Sequence, residues 1–363
     1  MRRPVEPRLG PPPTKAHVSV ARLPDYWYVA CRSRDLRRRR PVAVTVLGTP
    51  LVLYRTEAGR AAALVDRCPH RNVPLSLGSV RGSCLQCKYH GWEFDVDGTC
   101  TAIPGLLGPV AARGRSATAY PVREQQGYVW VYGRPDAEPA SEPFRLPHLD
   151  DPRYTHAHRV VQADATLHAT IENALDVPHT AFLHKGLFRG AGARTSITAR
   201  VRRFGDRCEA EYLGEPRPKG LVARLLSPGG GEVAHVDRFI LPSIAQVDYA
   251  LGDDTHIVVT SMCTPVTDFH TKLFACVSYR LGRVPGWAVK PVLEPLGRAI
   301  FAQDAKILRA QTDTIRTFGG EQFVHTDIDV LGPHIWRLMK AAERGDARPT
   351  PEPAVDESIR MTV

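Results

Sequence analysis

The sequence predicts an α+β protein, with a small all-β domain followed by a domain of longer strands and helices. Short β-branched and aromatic segments, such as YWYVACRS and GYVWVYGRP, alternate with turns before residue 135. Longer alternating segments, such as KLFACVSYRL, occupy the second half. A stretch with helical periodicity runs from Arg298 to Arg316. An antiparallel sheet followed by a long helix is an α+β arrangement.

Composition and charge narrow the class of protein. The 363 residues are 43% hydrophobic and 24% charged, which is typical of a soluble protein with more than one domain. No segment approaches the roughly 20 apolar residues of a membrane span. The basic N-terminus lacks the apolar core of a secretory signal, so we expect a cytoplasmic protein. The net charge of +10 is spread along the chain, so nucleic acid is not the expected partner.

One basic cluster stands out, at Arg37 to Arg40. Two interpretations remain open for it. It is either a solvated basic turn or a docking patch for an acidic protein partner, since opposite charges accelerate encounter.

The patterns predict five segments and the elements within them. The second domain contains a helix candidate, ADATLHATIENALDVPHTAFLH, with a break at Pro178. Strand turns are predicted at Gly205–Asp206 and at 252–254. The segments are an N-terminal tail (1–24), the β domain (25–135), a Pro-rich linker (136–154), the larger domain (155–345) and a disordered C-terminal tail (346–363).

Two Cys-His pairs lie on turns of the first domain. Cys68 and His70 flank one residue, and Cys87 and His90 flank two, with sixteen residues between the pairs. Close Cys and His residues in a cytoplasmic chain are more typical of metal binding than of disulfides. The four side chains suit zinc, or an iron–sulfur cluster in which two His replace two Cys on one iron.

A second set of metal-binding residue types occurs in ENALDVPHTAFLH, which contains Asp176, His179 and His184. A lone His is usually structural, but two His beside an acid are typical of iron that activates dioxygen. Such iron is held by two His and one carboxylate. Asp176 precedes His179 by three residues, so a continuous helix would place both on one face.

Together the motifs resemble those of Rieske non-haem iron oxygenases, in their oxygenase (α) subunit, from about Asp25 to Lys340. The first motif resembles the Rieske signature, Cys-x-His and then Cys-x-x-His. The resemblance implies that Cys68, His70, Cys87 and His90 hold a [2Fe–2S] cluster, and it disfavours zinc. Cys84 breaks the Cys-x-x-His step and is therefore excluded. Pro104 falls where the family has a loop that shields the cluster.

The second motif resembles the family's Asp-x-x-His-x-x-x-x-His element. The resemblance implies a helix-grip catalytic domain in which His179 and His184 bind mononuclear Fe(II) and Asn173 lies nearby. The third ligand is an Asp on the long C-terminal helix, and FAQDAKILRAQ makes Asp304 the choice, with Asp313 and Asp254 as alternatives. Gln311 shares the Asp304 face of that helix.

The resemblance also implies a role for Asp176. It would hydrogen-bond an iron-binding His and a cluster His of the neighbouring subunit, and so connect the two centres within a homotrimer. We therefore expect Asp176 and Asn173 to support catalysis without being the main metal ligands.

The implied function is that of a terminal oxygenase that uses dioxygen to hydroxylate, demethylate or desaturate a hydrophobic substrate. The apolar strand residues and the segment Lys219 to Gly231 favour an apolar pocket that fits a polycyclic, steroid-like or natural-product molecule. With its permissive Gly run, that segment is either a lid over the pocket or an ordinary surface loop. The segments DYWYVACRSRDL and TPLVLYRT favour the monooxygenase and demethylase branch. No nucleotide-binding fingerprint is present, so NAD(P)H acts only through a separate reductase, directly or by way of a ferredoxin.

Two alternatives to an oxygenase remain at this stage. The first is a Rieske electron-transfer protein without mononuclear iron chemistry, and the second is an inactive scaffold that keeps the fold.

Overall fold

The computed structural model describes most of the chain, which divides into two compact units with a boundary in the sequence between Arg145 and Leu146. The residues it describes are 19–20, 23–110, 114–184, 195–215, 233–252, 255–282 and 284–362. Among them, no helix is long and apolar enough to cross a lipid bilayer.

The described residues of the first unit form three small antiparallel sheets, as short strands separated by turn residues predict. Their strand orders are β1-β11-β10, β2-β3-β4-β9 and β5-β6-β7-β8. The strands are β1 (Trp27–Arg32), β2 (Val42–Val46), β3 (Thr49–Arg55), β4 (Ala61–Val65), β5 (Ser79–Arg81), β6 (Cys84–Gln86), β7 (Glu93–Phe94), β8 (Cys100–Ala102), β9 (Ala119–Tyr120), β10 (Val122–Gln125) and β11 (Tyr128–Tyr132).

The second unit is built on one eight-stranded antiparallel sheet, with the order β12-β18-β17-β16-β15-β14-β13-β19. This confirms the predicted fold class. The turn predicted at Gly205–Asp206 joins the second and third strands of the unit. The strands are β12 (Thr155–Ala163), β13 (Ser196–Arg203), β14 (Arg207–Leu213), β15 (Val233–Ile240), β16 (Ile244–Leu251), β17 (Thr255–Thr267), β18 (His270–Leu281) and β19 (Val355–Thr362).

Within the described residues, four helices accompany this sheet: α1 (Leu167–Leu175), α2 (Thr180–Leu183), α3 (Gly286–Thr317) and α4 (Gly332–Glu343). Helix α1 packs against β15 to β18, and α3 packs against β12 and β18. Thr166 caps α1 by accepting a hydrogen bond from the backbone N–H of Ala169. The break between α1 and α2 falls where the sequence predicted it, around Pro178. It places the candidate metal ligands at helix ends.

The predicted C-terminal tail is wrong over residues 355–362. These residues form β19, which pairs antiparallel with β13 from Ser196↔Thr362 to Arg203↔Val355. Polar and apolar residues alternate only partly along this strand, with Met361 buried, and the charged and proline residues just before it are typical of a disordered tail. Asp356 also accepts two hydrogen bonds from Arg200 on β13. The strand thus completes one edge of the sheet.

The N-terminal segment 1–24 is not wholly a tail either. The backbone N–H of Ser19 donates to Glu321 Oε2 at 2.7 Å, and Ser19 is buried. The backbone N–H and the carboxylate satisfy each other away from water, an interaction between distant segments that no local pattern predicts.

Candidate metal centres

Two loops of the first unit present the four Cys and His residues of the first motif. One follows β4 and the other joins β6 to β7. The Cys68 and Cys87 side chains are buried and contact each other. The rings of His70 and His90 lie with centroids 4.5 Å apart. The loops therefore bring the four residues together as a thiol pair and an imidazole pair.

Each loop is a tight turn stabilised by its own backbone. In the second loop, the Cys87 N–H donates to the Trp92 carbonyl at 2.8 Å, and the Gly91 N–H donates to the Cys87 carbonyl at 3.0 Å. Gly91 has φ +72°, and a Cβ there would lie 2.9 Å from Cγ of Pro104. Only glycine therefore suits this position. Trp92 stacks on His70, with centroids 4.7 Å apart.

The arrangement fits a two-iron cluster better than zinc. A tetrahedral zinc ion would gather all four ligand atoms within about 4 Å of one another. Among the described residues, the group with three ligand atoms within 4.8 Å of one another is in the other unit. The four Cys and His residues of the first motif therefore do not bring three ligand atoms that close. His70 Nδ1 is buried without a hydrogen-bond partner, as a nitrogen that binds metal would be.

The Cys68 thiol and the position of Cys84 also bear on this site. Burial raises the pKa of the Cys68 thiol to about 11, so it would lose its proton only to a bound metal. Cys84 instead lies on β6, where its sulfur is 3.5 Å from Thr101 Oγ1. The structure thus places Cys84 on a strand and Cys87 in the loop.

The second unit brings His179, His184 and Asp304 together. His179 and His184 flank α2, and Asp304 projects from α3. His184 Nε2 lies 3.1 Å from Asp304 Oδ1 and 3.3 Å from His179 Nε2, and His179 Nε2 lies 3.7 Å from Asp304 Oδ1. All three ligand atoms lie within 4.8 Å of one another.

These separations fit one shared ion. Ligands about 2.1 Å from a metal, at right angles to one another, are about 3 Å apart. Asp304 Oδ1 is buried and has no hydrogen-bond partner among the described residues, so a cation would satisfy it. Two imidazoles and one carboxylate on one face are the ligand set of non-haem iron that activates oxygen.

Hydrogen bonds to the far side of each ring fix its orientation. His184 Nδ1 donates to Gln303 Oε1 at 2.7 Å, and His179 Nδ1 donates to the Asp176 carbonyl. Each Nε2 is therefore left as a lone pair directed towards Asp304. The sequence analysis missed Gln303, whose only local signal is that it immediately precedes Asp304.

The pKa shifts agree with a site that attracts positive charge. Burial raises the pKa of Asp304, and the two imidazoles and a hydrogen bond from Asn173 offset only part of this. Burial lowers the pKa of His179, but Asp176 and Asp304 together raise it above its usual value. A cation bound beside Asp304 would stabilise its ionised carboxylate, which burial otherwise destabilises.

Asp176 contacts His179, but not from a shared helix face as predicted. Helix α1 ends at Leu175, and Asp176 is extended, with φ −89° and ψ 104°. Pro178 disfavours helical conformation in Val177 and has no N–H to donate to the Ala174 carbonyl, so α1 ends before Val177. The Asp176 carboxylate instead accepts the His179 backbone N–H at 3.2 Å and approaches Nδ1 to 3.3 Å.

The other candidates lie elsewhere. Asp313 is exposed on α3 and does not join the trio. Asp254 and the proposed lid, Lys219 to Gly231, fall outside the residues that the structure describes.

A cavity of about 730 Å³ borders the trio on the His179 side. Asn173, Asp176 and Gln311 also line it, and no Lys or Arg is found in the part of the lining that the structure describes. Its other polar members are Glu172, Tyr212, Gln322, His325 and Asp329, and its apolar members include Leu175, Phe182, Ile307, Leu308 and Ile335.

Comparison with known proteins matches both units to families. Residues 26–111 match the Rieske [2Fe-2S] domain, and residues 163–345 match the vanillate O-demethylase oxygenase C-terminal domain.

Two curated relatives extend over most of the chain. The oxygenase component of dicamba O-demethylase from Stenotrophomonas maltophilia is 35% identical over 79% of this chain and 74% of its own. The vanillate O-demethylase oxygenase subunit of Pseudomonas sp. (strain HR199 / DSM 7063) is 33% identical over 86% of this chain and 92% of its own.

The same architecture is known from crystal structures. Dicamba monooxygenase bound to dicamba superposes with a TM-score of 0.75, at 24% identity over 90% of this chain and 99% of that chain. This match concerns the fold alone.

Proposed function

This chain belongs to the Rieske non-haem iron oxygenases, and we propose that it is a terminal oxygenase component that oxidises a hydrophobic small molecule. The family makes it an oxidoreductase that incorporates molecular oxygen, with a Rieske [2Fe–2S] cluster and mononuclear iron as cofactors. The observation that carries the proposal is the convergence of His179, His184 and Asp304. An electron-transfer protein would not need this trio, so that alternative is not favoured.

In this proposal the ligands are those that the sequence predicts. Cys68 and Cys87 supply thiolates and His70 and His90 supply imidazoles to the cluster. His179, His184 and Asp304 bind the mononuclear iron. When bound, the cluster supplies single electrons and the mononuclear iron supplies dioxygen activation.

The surrounding residues orient the ligands. Gln303 and the Asp176 carbonyl hold the two iron-binding imidazoles in the tautomer whose Nε2 lone pair is free. Asn173 holds the Asp304 carboxylate by a hydrogen bond. The apolar members of the cavity lining limit the access of water to the reacting carbon.

Oxidative demethylation is the reaction we place first, because the C-terminal family and both relatives are O-demethylase components by name. Hydroxylation and desaturation use the same ligands and remain further candidates. A cavity of about 730 Å³ accommodates an aromatic, polycyclic or steroid-like molecule, since small-molecule pockets commonly span roughly 300–1,000 Å³.

We propose that Asp176 connects the two centres in a head-to-tail homotrimer, whose heterologous interface closes by rotation. Exposed apolar side chains support this assembly. Tyr89 and Leu107 are 62% and 99% exposed near the cluster loops, and Phe182 and Val324 are each 84% exposed on the cavity lining. Such apolar surface is typical of protein interfaces. We expect Phe182→Asp to reduce the sedimenting mass from three chains to one.

The electrons come from a separate reductase or a ferredoxin, for which we propose Arg37 to Arg40 as the docking patch. All four arginines are exposed, and the ion pair of Arg39 with Glu57 is long, at 3.9 Å. Reduction of the cluster by an acidic donor should slow with salt, and Arg38→Glu with Arg40→Glu should abolish that dependence. We place the protein in the cytoplasm, where its eight free cysteines would stay reduced.

Metal analysis tests the central proposal. The purified protein should contain about three irons and two acid-labile sulfides per chain. Asp304→Ala should contain two irons and keep the visible cluster spectrum, whereas the control Asp313→Ala should keep three. Three irons in Asp304→Ala would move the carboxylate ligand elsewhere, and two irons in the unmodified protein would favour the electron-transfer alternative.

A further inference from the structure

A group of ionisable and aromatic side chains, of which Tyr212, His235 and Asp237 are buried, lies on the sheet face that borders the cavity. We call it the His235 cluster, and it consists of Tyr212, Glu215, His235, Asp237 and Tyr249. His235 lies opposite Tyr212 on β14 and opposite Tyr249 on β16, so the three side chains share one face. Their rings stack, with centroids 4.6 Å and 3.9 Å from His235.

Two carboxylates hold the central imidazole. His235 Nδ1 lies 2.6 Å from Glu215 Oε2, and Nε2 lies 2.9 Å from Asp237 Oδ1. Burial by itself lowers the pKa of His235, but Asp237 and Glu215 raise it to about 9. The ring is therefore protonated at neutral pH and donates to both acids. Burying three ionisable groups is costly, and apolar side chains of similar volume are often more stabilising, so the cluster calls for a functional explanation.

Tyr212 is the member of the His235 cluster that lines the cavity. It is only 1% exposed, and it lines the cavity together with Asn173, Asp176 and His179. Its hydroxyl is buried and has no hydrogen-bond partner within the described part of the chain. Burial, reinforced by Asp237 and other acids, raises the pKa of Tyr212 well above its usual value, so the hydroxyl keeps its proton. An acceptor within the cavity would satisfy it.

Acidic groups outnumber the protonated His235 around this hydroxyl. Asp176 and Asp329 line the cavity together with Glu172, whose pKa of about 7 leaves it partly ionised at neutral pH. Asp237 and Glu215 bind the His235 ring that stacks on Tyr212. A carboxylate next to Tyr212 would be repelled by these acids and would find no Lys or Arg in the described lining to pair with. A neutral carbonyl, amide or ether oxygen meets no such repulsion.

We propose that Tyr212 is a specificity-determining residue that donates a hydrogen bond to a neutral oxygen of the substrate, and that the acids of the cavity lining and of the His235 cluster together exclude carboxylates. The inference rests on the proposed oxygenase function for the identity of the molecule in the cavity. This preference for a neutral oxygen would distinguish the substrate of this chain from vanillate, the carboxylate for which one relative is named.

Binding of three matched aromatic methyl ethers to the anaerobic holoenzyme tests the inference by calorimetry. All three share the methoxy oxygen and differ in the group para to it: 4-methoxyacetophenone has a neutral carbonyl acceptor there, 4-ethylanisole has no acceptor there, and 4-methoxybenzoate has a negative charge there. We expect the ketone to bind about five- to tenfold more tightly than the alkyl ether, and more tightly still than the carboxylate. Tyr212→Phe should remove the preference for the ketone over the alkyl ether. Asp237→Asn should weaken the discrimination against the carboxylate.

The matched control is Tyr279→Phe, because the Tyr279 hydroxyl already donates to the Gly286 carbonyl at 3.1 Å. This variant should keep the selectivity of the unmodified protein, and far-ultraviolet circular dichroism checks that each variant folds. Equal or undetectable binding of the three ethers, tightest binding of the carboxylate, or unchanged selectivity in Tyr212→Phe overturns the inference. Product formation with the same ethers is scored separately. Turnover of these ethers without the expected binding selectivity would support the proposed oxygenase function and contradict the proposed role of Tyr212.

Discussion

The two candidate metal centres are built in opposite ways. The cluster residues come from two loops of the small first unit, and each loop is closed by its own backbone hydrogen bonds. The trio of the second unit depends on a helix far along the chain, since 119 residues separate His184 from its partner Gln303. The first centre therefore needs little beyond local turns, whereas the second exists only when the unit has folded.

This difference determines what the sequence reveals. The spacing of Cys68, His70, Cys87 and His90 reflects loop geometry directly, so it could be recognised without a structure. The pair His179 and His184 is equally local. The choice of Asp304 over Asp313 and Asp254 needed a family resemblance, because nothing near Asp304 says which distant His it would meet. The structure brings Asp304 to the pair but leaves its role as a ligand a prediction.

Breaking the local centre gives the largest expected effect. Cys87→Ser should remove the visible absorption of the cluster completely, because serine replaces one of only four ligands and cannot supply a thiolate. The control is Cys84→Ser, whose sulfur lies beside Thr101 on β6, and which should keep the full spectrum. Absorption that survives in Cys87→Ser and vanishes in Cys84→Ser would reverse the ligand assignment.

The connection between the centres is tested by Asp176→Asn. The amide keeps the size of the carboxylate but has only one accepting oxygen and no charge. We expect folded protein with an intact cluster, at least part of its mononuclear iron, and product formation lower by orders of magnitude. Rapid mixing of reduced protein with substrate and oxygen, followed at the cluster absorption, measures the step. Reoxidation and turnover close to those of the unmodified protein would leave Asp176 with no role in the transfer.

The features that sequence reasoning missed share one physical cause. Strand β19, the buried Ser19 and the hydrogen bond from His184 to Gln303 all depend on partners more than 100 residues away. Propensity and periodicity describe each segment alone, and a partly alternating segment such as VDESIRMT looks disordered until β13 is beside it. Asp176 shows the converse, because the end of α1 just before it follows from the nearby Pro178 and was available from the sequence.

The distant contribution to the second centre is tested at Gln303. Gln303→Leu removes the acceptor for His184 Nδ1–H, so the ring is no longer held in the tautomer that directs Nε2 to the metal. Loss of such a partner typically lowers metal affinity about 10- to 100-fold. Iron retained against a graded chelator measures the affinity. Gln303→Glu, which also accepts from Nδ1, should retain iron like the unmodified protein, and equal retention in Gln303→Leu would remove Gln303 from the site.

The smallest expected effect concerns Glu172, which lines the cavity and lies one helical turn before Asp176. Burial, reinforced by the charges of Asp176, Asp329 and Glu321, raises the pKa of Glu172 from 4.5 to about 7. The folded state therefore holds this proton more tightly than the unfolded state. The resulting stability is fully present below pH 4.5 and is lost as the pH rises through 7.

Over that interval we expect the second unit to lose up to about 3 kcal/mol of unfolding free energy. Glu172→Gln should lack this loss because its amide does not titrate. Urea unfolding at pH 5 and pH 8 measures it through the helical circular dichroism signal, since every α-helix of the described residues lies in the second unit. The control Glu352→Gln changes an exposed carboxylate and should unfold with the pH dependence of the unmodified protein. An unchanged pH dependence in Glu172→Gln would show that the cavity accommodates an ionised Glu172 without cost. The buried acids around Asp176 would then not repel an anionic substrate. The contrast between a cluster site built from local turns and a second site whose properties depend on distant charges would no longer hold.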